Sequence, residues 1–115
     1  MKHLFRLLLI MVLFTGVALA QSVTKGTIKG TVVDEGGIAI PGVMISIESE
    51  NLMGVQQRQS DQNGRFVFAE LPPGIYELTA TRSGFVTVKK TNMNVNGGRN
   101  TIVGIEMKLS TGAQD

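Results

Sequence analysis

Histidine occurs once in the 115-residue chain, at position 3, and cysteine does not occur. Without cysteine there is no disulfide, no thiolate metal site and no thiol nucleophile. A zinc hydrolase needs His and carboxylate ligands around an open position for water. A serine nucleophile needs a base, most often His. His3 lies in a segment read below as removed on export, so these chemistries fall together. Oxygen chemistry is left: Asp34-Glu35 in one turn, Asp61-Gln62-Asn63-Gly64 in another, and Glu48 with Glu50 on one face of a strand. Calcium takes about six to eight oxygens, and none of these groups has the spaced carboxylates of an EF-hand loop. Asp, Asn and Gly are ordinary turn residues, and a Glu pair on a strand reads as a solvated edge. The sequence predicts no catalytic residue, no metal and no cofactor.

The elements that carry these residues begin after an unlike N-terminal stretch. Lys2, His3 and Arg6 form a basic start, Leu7 to Phe14 is an unbroken apolar run, and Ala18-Leu19-Ala20 supplies small residues for a peptidase. These are the three parts of a secretory signal, with cleavage expected after Ala20. The uncharged stretch from Leu7 to Ala20 has 14 residues, short of the roughly 18 that span a bilayer. Gln21, not Cys, follows the cut, so no lipid is expected there, and no second apolar run follows Leu109. The expected product is exported, periplasmic or secreted, with no membrane anchor after cleavage. Losing Lys2 and Arg6 brings the Lys/Arg count down to equal the nine Asp/Glu. A nucleic-acid partner is therefore not expected, because that binding needs surplus positive charge.

From Gly26 onward the apolar residues recur with period two between turn signals. Ile28-x-Gly30-x-Val32, then Val43, Ile45 and Ile47, then a polar strand Val55 to Ser60, lead to the Asn63-Gly64 turn. Phe66 and Phe68, then Tyr76, Leu78 and Ala80, then a strand from Phe85 to Val95, follow. Thr101, Val103, Ile105, Met107 and Leu109 share the last inward face. Seven short strands with a turn about every 8–12 residues describe an all-β sandwich. Alternation gives each sheet one buried and one wet face. The expected core is Ile28, Val32, Val43, Ile45, Ile47, Phe66, Phe68, Leu71, Tyr76, Leu78, Phe85, Val103, Ile105 and Met107. The division expected is a signal at 1–20, a lead at 21–25, one domain at 26–109 and a fraying tail at 110–115.

Five motifs in one order carry a family resemblance. They are Gly30-x-Val32-x-Asp34; Pro41-Gly42-Val43-x-Ile45-x-Ile47; Ser60-Asp61-x-Asn63-Gly64-x-Phe66; Leu71-Pro72-Pro73-Gly74-x-Tyr76-x-Leu78; and Gly84-Phe85. Together they resemble the carboxypeptidase regulatory-like domain, whose fold is a transthyretin-like (prealbumin-like) β-sandwich. The resemblance implies a seven-stranded Greek-key sandwich. Ala39 stands where the family often has proline and Ser60 where it often has threonine; both replacements touch turn stiffness. Each motif residue has a structural explanation. Prolines and glycines set turns, Asp61 can accept from nearby amides, and Tyr76 fills the core with its hydroxyl at an edge.

The family name does not transfer an activity. Members sit beside metallocarboxypeptidase domains or at the front of outer-membrane receptors, as accessory or docking modules. Transthyretin-like hydrolases that act on hydroxyisourate use histidines and a C-terminal motif missing here. Similar adhesin sandwiches form a Lys–Asn isopeptide bond, but the corresponding positions hold Val32 or Val33, and Ala80, so none is expected. The reading is a non-catalytic module whose partner is an envelope or extracellular protein. It docks by an exposed sheet edge or by outward apolar residues such as Val67 and Ile102. Lys89-Lys90 reads as a solvated, protective edge feature. The alternative is a polysaccharide partner, through a polar face made of Gln56, Arg58, Asn92 and Asn94, by fold-level analogy.

Overall fold

A computed structural model describes residues 24–111. The expected signal, most of the lead and residues 112–115 of the tail lie outside the described residues.

All regular elements among the described residues are strands: β1 Gly26–Asp34, β2 Met44–Glu48, β3 Gln56–Gln59, β4 Arg65–Leu71, β5 Gly74–Thr81, β6 Val88–Val95 and β7 Asn100–Met107. They form two sheets, one of order β4-β1-β7 and one of order β3-β2-β5-β6. The chain is an all-β sandwich. Within each strand the alternation sorts side chains as its period requires: Phe66, Phe68 and Leu71 go in from β4, and Tyr76, Leu78 and Ala80 from β5. One core results, in which Phe66 and Phe68 meet edge to face at 6.1 Å between centroids. Burying each such side chain contributes about 1.5–3 kcal/mol.

β1 runs antiparallel to β4 and parallel to β7, with Thr27 opposite Asn100 and Asp34 opposite Met107. The described chain therefore enters at one end of the sandwich and leaves at the other, about 25 Å away for eight paired residues. Gly30 sits on the inward face of β1 opposite Phe66, and the Phe66 ring fills the space a side chain would take. A Cβ there would collide with the Val103 carbonyl and lie 2.7 Å from Phe66 Cζ.

Two strands carry an extra residue. Between Gly26/Leu71 and Ile28/Phe68, Thr27 faces both Ala69 and Glu70, with Glu70 at φ 58°. Between Tyr76/Met93 and Leu78/Lys90, Glu77 faces Thr91 and Asn92, with Asn92 at φ 56°. Both are β-bulges, and both lie on edge strands.

The structure corrects three expectations. The strand expected from Phe85 starts at Val88, because residues 84–86 leave the four-stranded sheet to meet the end of β7. The Val86 amide donates to the Lys108 carbonyl at 2.8 Å, Ser110 to Gly84 at 2.9 Å, and Phe85 bridges Leu109. Phe85 is therefore half-buried against the core and not within it. Leu109, expected inward, is 70% exposed, since the period-two face of β7 ends at Met107. Ile40 and Val95 are buried in addition to the expected set. Each closes the core from a strand end or loop where the alternation gives no signal.

Candidate interaction surface

The family-motif residues divide between the two ends. At one end, Asp34 Oδ1 accepts from the amides of Gly36 at 2.8 Å and Ile38 at 3.0 Å. Asp61 Oδ1 accepts from Asn63 at 2.8 Å and Arg65 at 2.9 Å. The Gly42 amide donates to the Ser60 carbonyl at 3.0 Å, and the Arg82 guanidinium donates to the Pro41 carbonyl while lying 6.0 Å from the centroid of Phe85. Gly64 takes φ 73° and packs so closely on β1 that a Cβ would collide with the Val32 carbonyl. Gly84, at φ 88°, lies in open space. At the other end, the Tyr76 hydroxyl donates to the Pro72 carbonyl at 2.7 Å, and Asn51 Nδ2 donates to the Pro73 carbonyl at 2.9 Å beside Gly74. Burial of Tyr76 pushes its phenol above the ordinary value of 10.0. These residues do not converge on one point, and each carboxylate oxygen facing its turn is occupied by backbone amides.

Ser60 is the residue that sequence reasoning undervalued. It is the buried polar side chain of the core, 5% exposed. Its Oγ accepts from the Val43 amide at 2.9 Å and donates to the Ile40 carbonyl at 2.8 Å. It thus ties the β1–β2 loop to the β3–β4 loop. The available signal was a hydroxyl placed next to Asp61 where the polar strand ends, at the position the family often gives to threonine.

The carboxylates do not assemble a cation site. Glu48 ends β2, but Glu50 lies in the loop beyond it, so the two do not share a strand face. Glu48 is opposite Glu77, which is ion-paired with Lys89 on the edge strand β6. Among the described residues no group of three His, Cys, Asp or Glu side chains is placed to hold a metal. Depressions of about 430 Å³ flank Glu48, Glu50 and Glu77 at one end and Asp34, Phe85 and Leu109 at the other.

The polar set considered for sugar does not come together. Gln56 and Arg58 are on β3 and Asn92 and Asn94 on β6, which are opposite edges of the same sheet. Phe66, Phe68 and Tyr76 are buried, leaving no ring of theirs to stack on a sugar.

The sheet edges are blunted. β4 and β6 carry the bulges at Glu70 and Asn92. On the short strand β3, the Arg58 guanidinium donates to the Gln57 carbonyl at 2.8 Å and lies 5.5 Å from the Phe68 centroid, covering the β3–β4 side. On the other side, Thr101 Oγ1 donates to the Asn94 carbonyl at 3.0 Å, and residues 84–86 cover the chain after β7. These are the devices by which natural sheets avoid pairing with other strands.

The outer face of the three-stranded sheet is different. One cross-strand row runs Val67, Lys29, Ile102, and the next runs Arg65, Thr31, Gly104. Val67 is 51% and Ile102 68% exposed. A groove of about 300 Å³ is lined by Lys29, Thr31, Arg65, Val67 and Ile102. At Gly104 a Cβ would meet nothing within 4 Å, so the face is flat beside Ile102.

Residues 27–108 match the family model described as carboxypeptidase regulatory-like domain. No curated protein matches the chain in sequence. Several solved structures match its fold. The TIE protein of Bacillus anthracis has a TM-score of 0.63 and 20% identity, over 75% of this chain and 17% of that one. The minor pilin of Streptococcus agalactiae has a TM-score of 0.60 and 17% identity, over 76% and 45%. The 3-chlorocatechol 1,2-dioxygenase of Rhodococcus opacus has a TM-score of 0.59 and 11% identity, over 78% and 62%. The chain spans less than two thirds of each. At these identities the likeness shows the fold, and a pilin beside a dioxygenase illustrates how one sandwich hosts unrelated functions.

Proposed function

The chain belongs to the carboxypeptidase regulatory-like domain family, and from that membership we propose that it is a non-catalytic, exported interaction module. It engages an envelope or extracellular protein through the outer face of its three-stranded sheet. The observation that carries this reading is the contrast between that face and the edges. Val67 and Ile102 stand exposed in one row across Lys29, while bulges, Arg58 and the 84–86 segment blunt the places where a partner strand would add. The signal-like residues 1–20 support export, and the turn motifs act as scaffold.

Amine-reactive cross-linking in the native envelope tests the reading, because the lysines mark different surfaces. Lys29 lies on the proposed face and Lys89 and Lys90 on the β6 edge. Cross-links to one partner protein through Lys29 are expected, lost on changing Val67 and Ile102 to Ser. Cross-links confined to Lys89 and Lys90 would favour strand addition and overturn the face. Binding to a glycan array with no protein partner would replace the reading by sugar recognition.

A further inference from the structure

The docking face has a charge pattern as well as an apolar one. Lys29 separates Val67 from Ile102 in one row, and Arg65 begins the adjacent row. Both side chains are exposed, and neither Lys29 Nζ nor the Arg65 guanidinium has an ion-pair or hydrogen-bond partner among the described residues. The nearby Asp61 carboxylate accepts from the Arg65 backbone amide, leaving that guanidinium to the groove. Further along the same face the sign reverses. Glu106 lies opposite Val33, four residues along β1 from Lys29.

Resting on the docking reading above, we infer that the partner presents a carboxylate flanked by aliphatic side chains. The carboxylate sits over Lys29 and Arg65, and the aliphatics cover Val67 and Ile102. A purely apolar partner would bury two cations without counter-charge, which costs more than the apolar contact returns. A uniformly acidic partner, a polyanion included, would meet Glu106 at the far end of the face and leave the aliphatics wet. A single acid between aliphatics satisfies the whole row, and repulsion from Glu106 disfavours seating that acid at the far end of the face. The flat spot at Gly104 admits the partner's backbone close to β7.

The test uses the chain as its host produces it and a displayed library of random short peptides as the probe. Selected peptides are expected to carry Asp or Glu between Val, Ile or Leu. Their affinity should fall about tenfold for K29E/R65E, from two exposed ion pairs lost and reversed, and similarly for V67S/I102S. If either variant melts below the wild type, K29Q/R65Q and the single serine variants replace it. Peptides that need Val67 and Ile102 but show no acid and ignore K29E/R65E overturn the acidic partner while the docking face stands. Peptides indifferent to both pairs, heparin binding in their place, or no enrichment overturn both.

Discussion

Replacing Ser60 by alanine removes one oxygen and leaves two backbone groups in the core without partners. The Val43 amide loses its acceptor at 2.9 Å and the Ile40 carbonyl its donor at 2.8 Å, in a site only 5% exposed. A buried donor or acceptor left unpaired costs about 1–3 kcal/mol. The amide should sit near the upper part of that range and the carbonyl near the lower, since under-satisfied carbonyls are tolerated better. The sum is about 2–4 kcal/mol, against a total stability of about 5–15 kcal/mol for a domain of this kind. At about 4–8 °C per kcal/mol, the melting midpoint should fall by about 8–32 °C. Urea unfolding reads the change directly: the midpoint should drop with the slope unchanged, because the surface exposed on unfolding is the same. Ser60→Thr keeps the hydroxyl and adds a methyl in a buried place, so its cost should stay near 1 kcal/mol. If Ser60→Ala loses less than about 0.5 kcal/mol, the two backbone groups find other partners and the loop-tying role is wrong.

Gly30→Ala forces a Cβ into the Val103 carbonyl and the Phe66 ring and should cost about 1–3 kcal/mol or more by overpacking. Adding Phe66→Leu should not restore it, because the carbonyl cannot give way; full rescue in a melt would show that the ring alone sets the limit. Phe66→Ala and Tyr76→Ala should each cost about 3–5 kcal/mol; a neutral thermal melt for either would contradict its place in the core. The single tyrosine makes the phenol readable by near-ultraviolet absorbance. Burial raises its folded pKa above 10.0, so the folded state holds the proton more tightly. That contribution is complete below the unfolded value and is lost as pH rises through the folded one. Tyr76→Phe should remove this alkaline fall, and a titration midpoint at or below 10.0 would refute the burial argument. Asp34→Ala should cost about 0.5–2 kcal/mol through two exposed turn bonds, while calcium should leave the wild-type melt unmoved; a calcium-dependent rise would revive a cation site. Val67→Ser with Ile102→Ser should change stability by no more than about 1 kcal/mol, up to about 0.5 kcal/mol for each exposed site, and a larger loss by urea melt would mean that the face is structural.

The sandwich was legible because period-two alternation reports which side of a strand is buried, and it does so along β1, β2, β4, β5 and β7. Alternation does not report which strand neighbours which. The parallel pairing of β1 with β7, strands far apart in sequence, had no local signal. Nor did the bulges: Glu70 and Asn92 occupy a left-handed conformation that glycine would have advertised. Phe85 and Leu109 look inward by pattern but sit past the ends of their strands, where side-chain direction is set by the bridge between them. Among the residues singled out, the turn carboxylates were readable from their Asx-type spacing. Ser60 was not, since a buried hydroxyl and an exposed turn hydroxyl look alike in a string of letters. Val67 and Ile102 were readable as outward residues, but only the register with Lys29 and Arg65 makes them one surface.

The residues of the family motifs and the residues of the proposed docking face are different sets, and the geometry explains why. Asp34, Pro41, Gly42, Asp61, Asn63 and Gly64 close one end of the sandwich, and Pro72, Pro73, Gly74 and Tyr76 close the other. Their constraint is backbone conformation, which any chain with this fold must meet whatever it binds. Lys29, Val67 and Ile102 are under no such constraint: outward positions in mid-strand accept almost any side chain without loss of fold. A sequence free to place Thr or Gln there instead places two aliphatics around a lysine, beside an arginine whose guanidinium has no ion-pair partner among the described residues. Exposed apolar residues scattered singly need no explanation; these two share one row across a common cation. On the docking reading proposed above, specificity in this module belongs to the face of the sheet. Exchanging Lys29, Arg65, Val67 and Ile102 for another member's residues should change its partner and leave its melt within about 1 kcal/mol. An exchange that moved the partner by altering only the end turns would place recognition in the loops and break the argument.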